Sequence, residues 1–256
     1  MIQSRAFTRL LVVMGAAIAA LALLAATASA REPAAGYERF AGCPSPEESL
    51  TTNSCQLATI SGGHFNMGSK DVPISKPMTL SGGTNSVGGD FKTSPVGGLS
   101  IAKQEVPGGV IGITGLDWLI NILNVEQLKL FAVTELVGPP VLTPTSLQLP
   151  LKVHLINTAL GNKCYVGSAT EPINLVLTTG TTAPPPPNEP ITGKTPKFAP
   201  GTPKGVGHYS EGVFVDNSFA APGANGCQLL GSPLINIDSL INAIAGVPSP
   251  EGTNET

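Results

Sequence analysis

The sequence is short of charge. Asp, Glu, Lys and Arg make up 12% of its 256 residues, about half the ~25% usual for soluble domains. Lys and Arg number 14 against 17 Asp and Glu, a formal net charge of −3. With no basic excess to neutralise phosphates, a nucleic-acid partner is not expected. No block of like charge and no heptad charge pattern occurs, which argues against a solvating tail and a coiled coil. Signature motifs are missing too. There is no H-E-x-x-H, no P-loop and no G-x-G-x-x-G turn. There is no G-x-S-x-G elbow either: Ser86, in Thr84-Asn85-Ser86-Val87-Gly88, lacks the first glycine. Glycine and proline fill the space instead. Together 30 Gly and 24 Pro form 21% of the chain, against about 12% on average.

Residues 1–30 read as a secretory signal. Arg5 and Arg9 supply the positive start, Leu10 to Ala26 is an unbroken apolar run, and Ala28-Ser29-Ala30 offers the small-x-small cleavage site. At 17 residues the run is at the bottom of the range for spanning a membrane, so an uncleaved anchor is the weaker alternative. Cleavage after Ala30 leaves a 226-residue chain with a net charge of −5. Leu, Ile, Val and Phe make up 26% of that chain, above the ~20% below which chains stay disordered. The expected organisation is therefore a signal peptide at 1–30 and one β-rich secreted domain at 31–256. Phe40-Ala41-Gly42-Cys43 has the outline of a lipoprotein box. Arg31, Glu32, Glu38 and Arg39 separate it from the apolar run, so lipidation of Cys43 is not expected.

All four cysteines, Cys43, Cys55, Cys164 and Cys227, lie beyond the signal. An even count in an exported chain points to two disulfides, with three possible pairings. Nearness in one turn-rich segment favours Cys43 with Cys55, which leaves Cys164 to close a long loop with Cys227. A metal site is the alternative. No C-x-x-C is present and no histidine stands at ligand spacing from a cysteine, so no metal ligand and no cofactor are assigned.

The segment from Leu57 to Ile113 breaks short apolar pieces with Gly or Pro every few residues, the pattern of many short strands. Leu116, Leu119, Ile120 and Leu123 recur at helical spacing and predict a short helix over 116–123. Its polar face lacks Lys and Arg, so it is expected to pack in a core rather than lie on a membrane. Residues 126–136 are expected to be a strand. The clearest strand follows: Leu147, Leu149, Leu151, Val153 and Leu155 alternate with Gln148, Pro150, Lys152 and His154. Pro150 cannot donate to a ladder, which predicts an edge strand or a bulge. In residues 173–178, Ile173, Leu175 and Leu177 face away from Asn174, Val176 and Thr178.

Pro184 to Pro187 predict a stiff polyproline II spacer, within a Pro-rich crossing segment at 183–204. Lys194, Lys197 and Lys204 follow with no acid among them, a solvated loop or a contact for anionic wall polymer. Ile237, Leu240, Ile241 and Ile244 predict a second short helix stopped by Gly246 and Pro248. Two short echoes occur. Gly62, Met67-Gly68-Ser69 and Pro73-Ile74 recur as Gly161, Val166-Gly167-Ser168 and Pro172-Ile173. Asp117 and Leu119-Ile120-Asn121 recur as Asp238 and Leu240-Ile241-Asn242. Their offsets of 99 and 121 differ, so no clean duplication follows.

The run from Lys152 resembles a group of uncharacterised secreted proteins of actinobacteria. The resemblance is carried by Cys164-Tyr165-Val166-Gly167-Ser168, by Thr178 to Thr182 with the prolines after it, and by the segment Asp216 to Cys227. Cys43, Cys55 and the glycine-rich stretch to Ile74 also fit. The resemblance implies the pairs Cys43–Cys55 and Cys164–Cys227, and it implies no activity and no catalytic or binding residue. Members of that group continue past residues like Gly252-Thr253-Asn254 into a further apolar strand, whereas this sequence stops at Thr256.

The expected fold is mainly β: a disulfide-stapled, β-sandwich-like domain with two short helices. Three functions are compatible with it. The first is a non-enzymatic structural or adhesive protein of the cell surface or extracellular matrix, with a cell-wall or extracellular polymer as partner. The second is a carrier of an apolar small molecule. The third is a hydrolase using His64, His154 or His208 with Asp117 or Asp216, since triads are geometric rather than sequential. Membrane contact is expected only through an uncleaved signal. Asn254-Glu255-Thr256 is formally a glycosylation sequon and is discounted.

Overall fold

The computed structural model describes residues 35–41, 43, 54–84, 91–93, 99–111, 126–143, 145–202 and 204–256. The chain divides into two units between Glu32 and Pro33, and every described residue belongs to the second. The signal-like segment 1–30, the helix expected over 116–123, Ser86 and Asp117 lie outside the described residues.

The described chain is mainly β. Its first seven strands are β1 (Ser54–Ile60), β2 (His64–Met67), β3 (Lys70–Pro73), β4 (Met78–Thr84), β5 (Phe91–Thr93), β6 (Leu99–Ile101) and β7 (Gln104–Val106). The next five are β8 (Leu130–Leu136), β9 (Val141–Leu142), β10 (Ser146–Ile156), β11 (Tyr165–Val166) and β12 (Ile173–Thr178). The last three are β13 (Lys197–Pro200), β14 (Gly207–Ser210) and β15 (Ala224–Asn225), followed by one α-helix, α1 (Asp238–Ala245). Strands β1, β4, β5 and β6 form a four-stranded sheet around β4. A seven-stranded sheet runs β15-β11-β10-β8-β7, with β9 and β12 also on β10. The hairpins β2–β3 and β13–β14 stand apart. All pairings are antiparallel.

The large sheet is organised by β10. Leu147, Leu149, Leu151, Val153 and Leu155 are buried, and the residues between them are not. Strand β12 repeats this with Ile173, Leu175 and Leu177. These side chains join Val106, Leu130, Val166 and Ile241 in one apolar cluster. A period of two on two adjacent strands is what a half-buried sheet requires.

Pro150 is not at an edge. β10 pairs β12 and β11 along one side and β8 and β9 along the other. Odd residues of β10 bond toward β11 and β12, as Leu155 N to Cys164 O shows, so Pro150 faces the β8 side. There its carbonyl still accepts from Val137 N at 3.0 Å. The missing N–H falls where β8 has ended at Leu136 and β9 has yet to begin at Val141. A central strand thus accommodates proline at the gap between two partners, an exception to the edge rule.

Both disulfides form, Cys43–Cys55 and Cys164–Cys227, so one of three possible pairings is realised. The sulfur of Cys43 is therefore engaged and offers no thiol for lipidation. Cys164 and Cys227 are fully buried, and Asp238 Oδ1 at the start of α1 accepts from Cys227 N at 2.7 Å. The helix ends where expected, at Gly246 with φ 70°. A side chain on Gly246 would strike Ser69 N, and one on Gly68 would strike the carbonyls of Ala245 and Gly246. Glycine at both positions lets the β2–β3 turn touch the helix end. Leu240, expected in the buried stripe of this helix, is 54% exposed; Ile241 carries the burial.

The Pro-rich run is a closed loop rather than a spacer. Thr181 bridges Thr192, and Thr182 N donates to Ile191 O at 2.9 Å, so the two ends of the run meet. Asn188 Nδ2 then donates to the carbonyls of Asn217 and Asn254. Farther on, the segment expected to be a solvated loop contains β13. In the first echo, Gly68 and Gly167 both adopt positive φ at turns; the second echo lies partly outside the described residues.

Asn254 ties the last residues to the rest. Fully buried, it accepts at Oδ1 from Gly68 N and Ser249 Oγ and donates from Nδ2 to Phe219 O and Pro250 O. Its neighbours Glu255 and Thr256 exchange backbone bonds with Asn66 and Asp216. The sequon asparagine is thus not available to carry a glycan in the folded chain. Asn254→Ala strands a buried N–H and a carbonyl and is expected to cost about 3 kcal/mol; urea unfolding with unchanged m would measure it, and a loss under about 0.5 kcal/mol would contradict the role. For the disulfides, loop lengths of 63 and 12 residues set expected losses of about 4 kcal/mol for removing Cys164–Cys227 and about 3 kcal/mol for Cys43–Cys55. Paired Cys→Ala variants compared in the same denaturant series should keep that order.

Candidate functional site

The three histidines occupy separate places. His64, in β2, has Nδ1 3.0 Å from Asp71 Oδ1 across the hairpin and Nε2 3.8 Å from Glu255 Oε1. Its carbonyl accepts from Thr256 Oγ1. His154, on the outer face of β10, stacks on Tyr165 with centroids 4.5 Å apart, and its Nδ1 lies 3.5 Å from Glu135 Oε1. Lys152 pairs with the other oxygen of Glu135 at 3.0 Å and sits 4.1 Å from the Tyr165 ring centre. His208 is exposed in β14. Asp216 is buried, but its oxygens accept from the backbone of Val176 and Ser218 rather than from a histidine. The histidine–aspartate pairing considered for a hydrolase therefore does not assemble at Asp216, and Asp117 lies outside the described residues. His64, His154 and Asp216 hold structure: His64 joins a hairpin to Glu255 and Thr256, His154 knits three strands and Asp216 takes two backbone N–H groups. Among the described residues no group of three His, Cys, Asp or Glu is placed to hold a metal ion.

The hairpin β13–β14 presents side chains outward. Phe198 and Tyr209 sit opposite each other in the register, 5.1 Å apart, and are 61% and 56% exposed. The Phe198 ring lies against Gly207, where a Cβ would fall 2.8 Å from the ring; an aromatic covering a strand glycine shields its backbone from water. Of the three lysines read as a solvated loop or a contact for anionic polymer, two pair with an acid farther along the chain. Lys194 and Lys197 both reach Glu211, at 3.0 and 2.7 Å. The carboxyl of Glu211 is consequently held below the ordinary glutamate range, first by its bond from Lys197 and then by Lys194. Pro196, Pro200 and the lysines also remove donors and add charge along β13, which discourages a stray strand from pairing there.

A second apolar surface lies at residues 229–240. Leu230 is 76% and Leu234 91% exposed, and Leu229, Ile235 and Leu240 are exposed beside them. Leu230 adopts φ 52°, a conformation branched and bulky residues rarely take. No Lys or Arg occurs after Lys204.

A space of about 1890 Å³ is lined by the hairpin β13–β14, by the apolar faces of β10 and β12 and by β1. This is about twice an ordinary ligand pocket. Its inner wall is the core itself: Leu151 and Leu175 line it and are 3% and 5% exposed. Phe198, Tyr209 and Val213, which also line it, are exposed.

Sequence reading did not find the buried amides. Gln104 Oε1 accepts from Ser75 N and Lys76 N, while its Nε2 donates to Lys76 O and Ala102 O. Asn157 Nδ2 donates to Gln127 O and Lys129 O. Asn242 Oδ1 accepts from Ala224 N at 2.6 Å. Gln104 stands in β7, Asn157 just after β10 and Asn242, part-buried, in α1, and no periodicity marks any of them. Asn217 is the exception among them: its Nδ2 donates to Glu189 O, but its buried Oδ1 has no partner among the described residues.

Comparison with protein-family models, with curated proteins and with solved structures finds no match.

The Glu211 contacts carry a pH signature. A carboxyl whose folded pKa is lowered stabilises above its unfolded value, and that contribution fades as pH falls through the folded value. A carbon-detected titration of Glu211 should find its midpoint below that of a free glutamate, about 4.3. In the Lys194→Met/Lys197→Met double variant the midpoint should return to the ordinary range. An unshifted wild-type midpoint would show that these pairs do not form in solution.

Proposed function

We propose that this is an exported, non-catalytic protein that adheres to extracellular polymer through apolar and aromatic surface. One observation carries the reading. Large apolar side chains are gathered outside the core in two places, Phe198 with Tyr209 on one hairpin and Leu229, Leu230, Leu234 and Ile235 on one loop. Monomeric soluble domains scatter such residues singly; gathered ones mark interaction surfaces. Aromatic rings are also the side chains that most often anchor an interface. Supporting export are the signal-like sequence of residues 1–30 and the two disulfides, bonds that persist in oxidising compartments. The resemblance to secreted actinobacterial proteins agrees with this placement. A sandwich arrangement of the two open sheets is part of the same reading. It is supported by Leu80 of β4 and Leu99 of β6 sharing one apolar cluster with the leucines of β10.

A second reading, carriage of an apolar small molecule, draws on the space that Phe198, Tyr209 and the leucines of β10 and β12 line. The two readings separate by experiment. The protein exported by its own host should begin at Arg31, lack four thiol hydrogens and carry no passenger in a native mass spectrum. Extra mass lost on denaturation would put the carrier reading first. Purified cell-wall polymer should retain the protein, and Phe198→Ala/Tyr209→Ala should weaken retention about tenfold, the loss of one modest interface anchor. No retention of the wild-type chain by wall or matrix polymer would overturn the adhesive reading.

A further inference from the structure

The loop between β15 and α1 carries a large aliphatic side chain where its turn favours a polar one. Leu230 has φ 52° and ψ 28°, Gly231 has φ 72°, and Ser232 N donates to Leu229 O at 3.0 Å. Two successive left-handed residues closed by such a bond make a type I′ turn, whose first central position usually holds Asn, Asp or Gly. Leucine carries a conformational cost there, and at 76% exposed it recovers none of that cost by burial. Strain of this kind gathers at positions that serve function rather than folding. Leu234, in the same loop, is 91% exposed, and Leu229 and Ile235 are exposed beside it.

The loop is firmly mounted. Gln228 N and Leu230 N donate to Leu160 O and Ala159 O, in the turn that follows β10, at 3.1 and 2.9 Å. A Cβ on Gly161 would lie 3.3 Å from Gly231 Cα, so the two turns touch. Within the loop, Leu229 N donates to Ile235 O, Gly231 N to Gln228 O and Ile235 N to Ser232 O, and Pro233 has no N–H to place. Most backbone donors are thus used internally, as an apolar medium requires. No side chain from Gln228 to Ile235 is charged. The next acid, Asp238, accepts from Cys227 N and Asn236 Nδ2.

We propose that this loop inserts into a lipid surface, its leucines entering the hydrocarbon boundary while Gln228 and Asn236, bridged to each other at its base, stay at headgroup level. Three features select that partner. A polar polymer needs hydrogen bonds to replace those it loses to water, and the side chains from Leu229 to Ile235 offer one hydroxyl, that of Ser232. A protruding tip enters a fluid surface without a matching groove, whereas two such tips would bury little of each other. The backbone already holds its shape, so insertion need order nothing further. The surface it suits is neutral or zwitterionic. Anionic lipid is bound by clusters of Lys and Arg, but none follows Lys204, and Lys163, whose carbonyl faces Gly226, is a single cation near the base. The proposal rests on reading the gathered side chains as contact surface and divides that surface: ring faces on the β13–β14 hairpin suit polymer, leucines on this loop suit lipid. The contact is made by a folded loop and does not depend on an uncleaved signal.

Flotation of the oxidised, exported chain with phosphatidylcholine vesicles tests this. The parent should float at about 1 mM lipid, a partition of the order given by a single acyl chain. Raising salt to about 0.5 M should not release it, since screening acts on charge and not on apolar contact. Leu230→Asn/Leu234→Ser should lower partitioning by at least about tenfold. Asparagine adopts positive φ readily and both positions are exposed, so the melting temperature of this variant should equal or exceed the parent's. Phe198→Ala/Tyr209→Ala should weaken polymer retention yet float like the parent, so the two readings fail separately. No flotation of the parent, flotation that the leucine variant retains in full, or flotation that salt abolishes overturns the proposal. Sedimentation equilibrium covers the remaining case: self-association that the leucine variant disperses, without flotation, would assign the loop to a second copy and overturn it equally.

Discussion

A backbone that leaves the regular ladders must still satisfy its polar groups, and this chain leaves them often. Burying an unpaired N–H or C=O costs about as much as a lost hydrogen bond. Here single amide side chains supply the partners. Gln104 closes the Ser75–Lys76 turn, Asn157 holds the approach to β8, and Asn242 links α1 to β15. Asn254 connects the β2–β3 turn, Phe219 and the Ser249–Pro250 stretch. Four of these bonds converge on one buried residue, so the N-terminal hairpin and the C-terminal segment are held by the same group. The stacking of Phe65 on Phe219, 5.4 Å apart, reinforces that junction.

The apolar and covalent parts divide the remaining work. Leucines on β10 and β12 form the layer that drives collapse, and the Cys164–Cys227 bridge joins the strand region after β10 to the start of α1. The Cys43–Cys55 bridge ties the N-terminal segment to β1. Low charge is consistent with this design: most ion pairs lie on the surface, where each contributes little. Apolar groups left outside the core then stand out, and they cluster on the β13–β14 hairpin and on the loop before α1.

Legibility in the sequence followed periodicity. The alternation of Leu147 to Leu155, and of Ile173 to Leu177, is a burial pattern and was readable as such. So was the end of α1 at Gly246, because a left-handed cap favours glycine. Cysteine spacing and the resemblance pointed to the observed pairing. What stayed hidden depends on neighbours distant in sequence. Whether Pro150 sits at an edge or in a gap between β8 and β9 is set by where those strands end. Leu240 lies on an apolar stripe by spacing, yet what it faces is decided by how α1 meets β15. The prolines at 184–187 close into a loop because Thr181 meets Thr192, a contact no local rule announces. Asn254 and Gln104 carry no pattern at all, since a lone polar residue looks the same whether it is solvated or buried.

The central claim is that buried amide side chains fix the loops as firmly as strands fix the sheet. Native-state hydrogen exchange of the oxidised protein, read residue by residue, measures it directly. The amides of Gly68, Ser75, Ala159 and Ala224, which donate to side-chain oxygens, should exchange as slowly as those of β10. If they instead exchange with the rates of exposed loops while β10 remains protected, the loops are not held in this way and the account fails.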